Sequence, residues 1–151
     1  MAEDGTLTAP RPAFTWPAHA KTSVMLGKTL AADDFGIPAP EGGSTVRARG
    51  IGVVENQAPT EALEADLAVK NGQISPDAAQ DICQIALVER HRATGAVVNG
   101  FVSGFGYGVP CAVASTVAHD SHHMIVVGTD HAMMAAAANR LGDIGGGVSV
   151  W

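Results

Sequence analysis

Residues 112–130 read AVASTVAHDSHHMIVVGTD, two apolar runs on either side of three histidines and an aspartate, closed by a residue type that starts helices. Ala112 to Ala118 and Met124 to Val127 predict strands. Asp130 predicts the N-cap of a helix from His131 to about Leu141, with Met133, Met134, Ala137 and Leu141 on its buried face. Gly145-Gly146-Gly147 ends that helix, and Val148 to Trp151 reads as a last strand.

Working backward along the chain, Ile82 to Glu89 is an apolar run that suits a buried strand, with Arg90-His91-Arg92 emerging at its polar end. Val97 to Gly108 interleaves Gly100, Gly104, Gly106 and Gly108 with Phe101, Val102, Phe105 and Tyr107, which excludes a helix. Thr45 to Val54 is strand-like, and Asn71-Gly72 marks a turn. Thr60 to Val69 carries helix-friendly Ala, Leu and Glu, so strand and helix both stay open there. Residues 1–45 hold Pro10, Pro12, Pro17, Pro38 and Pro40 with Gly36, Gly42 and Gly43, which predicts an extended arm or edge with a short strand at Lys21 to Leu26. The expectation is a mixed α/β or α+β domain, with a mainly β core sheet and a few helices over 46–151 and a Pro/Gly-rich segment over 1–45.

A chain of 151 residues fits a single domain that buries about 70% of its unfolded surface. Hydrophobic residues at 46% against charged residues at 16% leave little charge to cover a whole surface, so some apolar surface is expected to meet another domain or subunit. Nine basic residues against fifteen acidic ones, with the basic ones scattered, exclude a phosphate-backbone binder. No apolar run approaches the roughly 18 residues that span a bilayer. Cys83 and Cys111 make no disulfide framework, and the expected setting is the reducing cytoplasm.

Chemistry concentrates in two places. His119-Asp120-Ser121-His122-His123 offers imidazoles and a carboxylate, which are ordinary ligands for zinc, manganese or iron, so His119, Asp120 and His122 are the candidate catalytic and metal-binding residues. The blander reading makes the segment a turn in which Asp120 and Ser121 bond backbone amides. Glu89-Arg90-His91 is the second group: Glu89 and His91 suit acid and base roles or a latch on a partner, against a plain exposed strand end. Together with Ser121 they are the candidate substrate contacts. The glycines of 100–108 lack the spacing and the lysine of a phosphate loop.

Taken in order, Val88-Glu89-Arg90-His91, Gly100-Phe101-Val102 with Gly104-Phe105-Gly106, Ala114-Ser115-Thr116-Val117-Ala118-His119-Asp120-Ser121-His122, Ile125-Val126-Val127-Gly128-Thr129 and Asn139-Arg140-Leu141 resemble the C-terminal domain of adenine deaminases. The resemblance runs from about Val46 to Gly147 and is weaker before it. It implies an enzyme that converts adenine to hypoxanthine and ammonia on a metal-dependent amidohydrolase barrel, usually with manganese or iron, in a homo-oligomer. The barrel and its metal ligands are absent from these residues, so the chain is expected to be a fragment or separate piece that needs a barrel as partner. On this resemblance His119, Asp120 and His122 face the barrel's mouth, as metal ligand, substrate contact or domain latch. His123 stands where the family usually has Asn, and Asp130-His131-Ala132 replaces a more acidic stretch. Two other readings compete: a stand-alone metal or purine binding module, and a structural oligomerisation domain.

Overall fold

The computed structural model describes residues 2–4, 6–9, 13–119 and 121–151. The expected turn residues Pro10 and Pro12 and the candidate site residue Asp120 lie outside the described residues.

The chain begins with β1 (Ala2–Glu3) and β2 (Thr6–Leu7), paired with each other apart from the main sheet, and a single helical turn, α1 (Ala18–Lys21). A 3-10 turn at Ala32–Phe35 precedes β3 (Thr45–Val53), β4 (Thr60–Lys70) and β5 (Gln73–Ile74). Then come β6 (Ile82–Val88), β7 (Val97–Ser103), β8 (Ala112–Ser115), β9 (Met124–Gly128), α2 (His131–Ile144) and β10 (Val148–Val150). The eight strands from β3 on form one sheet in the order β10-β8-β9-β6-β7-β3-β4-β5. All neighbours run antiparallel except β3 and β7, whose parallel ladder holds the pairs Ile51↔Val102 and Gly52↔Ser103. The domain is therefore mainly β with few helices, as the patterning leads one to expect.

Thr60 to Lys70 resolves as strand because its apolar residues repeat every second position: Leu63, Ala65 and Leu67 turn inward while Ala62, Glu64 and Asp66 turn out. Helix-friendly composition yields to nine residue pairs with β3. Asn71 and Gly72, both at positive φ, close the β4–β5 hairpin. The glycine-rich stretch divides: its first half is β7, while Asp81 clamps the start of the second half by accepting from the Gly104 and Gly106 amides at 2.9 and 2.7 Å. No strand forms at Lys21 to Leu26. Lys21 closes α1, and the Met25 amide donates at 2.8 Å to the Arg90 carbonyl, outside any ladder.

Helix α2 packs on β8 and β9, and the contact is close because small residues meet: Ala137 and Ala138 against Ala112 and Ala114, all fully buried, with Met134 and Leu141 alongside. Asp130 caps the helix through the Met133 amide at 2.9 Å. Gly145, at φ 80°, ends it, and the Gly146 amide reaches back to the Leu141 carbonyl.

Part of the first 45 residues belongs to this core, in contrast to the expected arm. Leu30 and Phe35 are buried under α2, and Asn139 clamps Leu30 by accepting from its amide and donating to its carbonyl, each at 2.9 Å. Residues 13–23 are exposed. Below Phe35 lies a buried amide network: Gln84 donates to the Phe35 carbonyl and to Asn99, and pairs with His131 Nε2 at 2.7 Å. Burial pushes the His131 imidazole below its ordinary pKa, with Asp130 and Asp33 pulling the other way.

Candidate functional site

Register brings the two sequence motifs together. Val88 at the end of β6 faces Met124 at the start of β9 and Val97 at the start of β7, while Ser115 at the end of β8 faces Ile125. The loops 89–96 and 116–123 therefore leave the sheet side by side at one end.

Loop 89–96 is organised by one carboxylate. Glu89 accepts from the backbone amides of His91, Arg92 and Thr94 and from the Thr94 hydroxyl, so the loop is wrapped around its two oxygens. The Thr94 amide chiefly, and those of His91 and Arg92, hold the Glu89 carboxyl down at about 2 against the opposing effect of burial. Ala93 takes a left-handed conformation, φ 53°, to complete the turn. His91 is exposed on the outer side of this loop.

Loop 116–123 combines an outside anchor with bonds of its own. The Thr116 amide donates to the Gly147 carbonyl at 3.0 Å, and the His122 amide reaches the buried Ala118 carbonyl at 3.2 Å. Ser121 Oγ accepts from the His123 amide at 3.3 Å, which is the turn role of a serine hydroxyl. His122 itself sits at φ 54°.

The residue that joins the loops is Arg90. Its guanidinium is buried, with Nε donating to the His122 carbonyl at 2.7 Å and a terminal nitrogen donating to the Ser23 carbonyl at 2.8 Å. The sequence motif points to its neighbours Glu89 and His91 instead. The signal was present in the strand period, because Ala86, Val88 and Arg90 continue one alternation, so position 90 points inward while 89 and 91 point out.

The histidines do not form one cluster. His119 and His122 line a hollow with Thr116, Val117 and Ala118, whereas His123 turns to the neighbouring hollow with Glu89, His91, Arg92 and Thr94. There the His91 and His123 rings lie 5.0 Å apart, tilted by 47°. His123 Nδ1 is buried with no hydrogen-bond partner among the described residues. Among the described residues, which leave out Asp120, no three His, Cys, Asp or Glu side chains are grouped as a metal site. Away from the loops, burial raises the Cys83 thiol to about 11, with Asp81 adding to the effect, which makes it an inert core residue and not a nucleophile. Among the described residues no helix is long and apolar enough to cross a membrane.

Comparison with known proteins bears on what these loops serve. Residues 57–151 match the family described as adenine deaminase C-terminal domain. Adenine deaminase 3 of Rhizobium meliloti is 63% identical over 148 residues, which cover 98% of this chain and 25% of the relative. The adenine deaminase of Ruegeria sp. is 59% identical over 151 residues, all of this chain and 25% of the relative. That of Rubrobacter xylanophilus is still 39% identical over 150 residues, again 25% of its own length. The chain thus spans about a quarter of the length of the curated relatives it matches. With the family match over residues 57–151 and identity extending through nearly the whole chain, the protein belongs to the adenine deaminase C-terminal domain family.

Proposed function

We propose that this chain serves as the C-terminal domain of an adenine deaminase, acting with a catalytic domain that hydrolyses adenine to hypoxanthine and ammonia. The observation that carries the reading is the end-to-end match to relatives that are named adenine deaminases and are about four times as long. The water-activating chemistry belongs, on this reading, to an amidohydrolase barrel with manganese or iron, in a cytoplasmic homo-oligomer. This chain's part is to present loops 89–96 and 116–123 to the mouth of that barrel. His119 and His122 share one hollow and His91 borders the next, so these imidazoles, with Asp120 and Ser121, are the groups offered to substrate or to the barrel rim. Glu89 acts through the loop it braces, because its oxygens are engaged by that loop's own donors. The stand-alone metal-module reading draws no support from the donor arrangement among the described residues.

The test is complementation. The Rhizobium meliloti relative is truncated to remove the quarter that matches this chain, and ammonia release from adenine is followed with and without this chain added or fused. Restored turnover is expected. Two results oppose the reading: no gain over the truncated enzyme, or ammonia released from adenine by this chain alone.

A further inference from the structure

We propose that the sheet face opposite α2 is the seat of the catalytic domain, and that an apolar side chain of that domain enters the groove over Gly100. The inference rests on the reading above, and deepens it by naming the surface through which the two domains join.

Strand alternation assigns the faces. On β6 and β7, Gln84, Ala86, Val88, Phe101 and Asn99 belong to the α2 side, so Ile85, Leu87, Val98 and Gly100 belong to the other. An antiparallel sheet face that meets water alternates to polar residues. This one does not. Leu87 is 37% exposed, Val98 67% and Ile51 41%, and together with Ile85, Asn99 and Gly100 they line a groove of about 210 Å³. The same face turns charged at the β3–β4 ladder, where Arg47 lies 3.2 Å from Glu64 and 3.6 Å from Asp66. An apolar centre with a charged margin is the anatomy of a protein interface.

Two observations say which partner covers it. The relatives carry about three quarters of their length outside the part that matches this chain, so in each of them a much larger polypeptide is tethered to this domain. Second, the apolar face runs into the candidate site: Leu87 pairs with Val98, Val88 with Val97, and the next residues are loop 89–96 itself. A domain seated on Leu87 and Val98 therefore lies beside the strand ends from which loop 89–96 departs.

The groove exists because residue 100 is glycine. A Cβ there would meet only Ile85 Cγ2, at an ordinary 3.7 Å, so the hollow is not required by the packing of this chain. Filling it with Gly100→Leu keeps the face apolar while removing the space for an incoming side chain. Val98→Lys, at an exposed position, instead places a charge on the rim of the groove.

The experiment titrates the wild-type chain and each variant into the truncated Rhizobium meliloti relative by calorimetry, with thermal melts as a folding control and sedimentation of the chain alone. Wild-type binding weakened at least tenfold by both variants, with melts unchanged, is the expected result. Wild-type binding with both variants equally tight overturns the docking face while leaving the proposed function standing. No binding by the wild type overturns both. Self-association of the chain that either variant abolishes, without effect on binding the relative, assigns the face to a second copy and overturns the proposal.

Discussion

Loops 89–96 and 116–123 leave the same end of the same sheet, yet they are held by different means. The first is self-contained, with its amides and one hydroxyl turned onto the Glu89 carboxylate. The second adds to its own His122–Ala118 and His123–Ser121 bonds two anchors from elsewhere, Arg90 at the neighbouring strand end and the Gly147 carbonyl beyond α2. Among the described residues each also contains one left-handed non-glycine residue, Ala93 or His122. The difference teaches that the loop carrying most of the candidate chemistry takes part of its shape from Arg90, a residue in the other motif.

The strongest way to break this comparison is Arg90→Ala. It leaves the Ser23 and His122 carbonyls without their charged donor, and a loss of about 3 kcal/mol in urea unfolding is expected from two charge-assisted bonds. Arg90→Lys recovers little of it, because an ammonium lacks the planar fork. An unchanged urea midpoint would show that loop 116–123 holds itself.

Glu89→Gln addresses the self-contained loop. A carboxyl held at about 2, below its ordinary 4.5, stabilises the fold above pH 4.5 and loses that contribution as pH falls toward 2. Melting temperature followed from pH 6 to pH 2 should bend downward over that window in the wild type. The bend should be shallower in Glu89→Gln, and identical curves would remove Glu89 from its bracing role.

Ala93→Gly relieves the left-handed strain at a cost in unfolded-chain entropy, and a net gain of about 0.5 kcal/mol is expected. The smallest change is His123→Asn, which replaces a buried ring nitrogen lacking a partner among the described residues and should shift stability by less than about 0.5 kcal/mol. A loss well beyond that in urea unfolding would mean that the His91–His123 contact carries weight.

Much of the sheet was legible because burial imposes a period of two, and Ile82–Val88, Met124–Gly128 and the capped α2 carry their signals locally. Thr60–Lys70 was ambiguous for the converse reason, since its strand state comes from pairing with residues 45–53 and not from its own propensity. Phe35 could not be recognised as core from the sequence around it, because the turn-forming residues near it describe the local backbone and not the long-range docking under α2. At the site, the two motifs were visible, but their adjacency follows from the β6–β9 register, which no stretch of sequence displays alone.

The single parallel junction in the sheet has a mechanical consequence. β3, β4 and β5 are bound to one another by a long antiparallel ladder but to the rest of the sheet through β7 alone, with two ladder pairs at that seam. Amide hydrogen exchange should accordingly resolve two levels, with the β3–β5 hairpin unit opening before the central strands. Ile51 stands on one side of the seam and Leu87 and Val98 on the other, so a domain resting on all three acts as a rivet, and its arrival should slow exchange in the hairpin unit more than anywhere else.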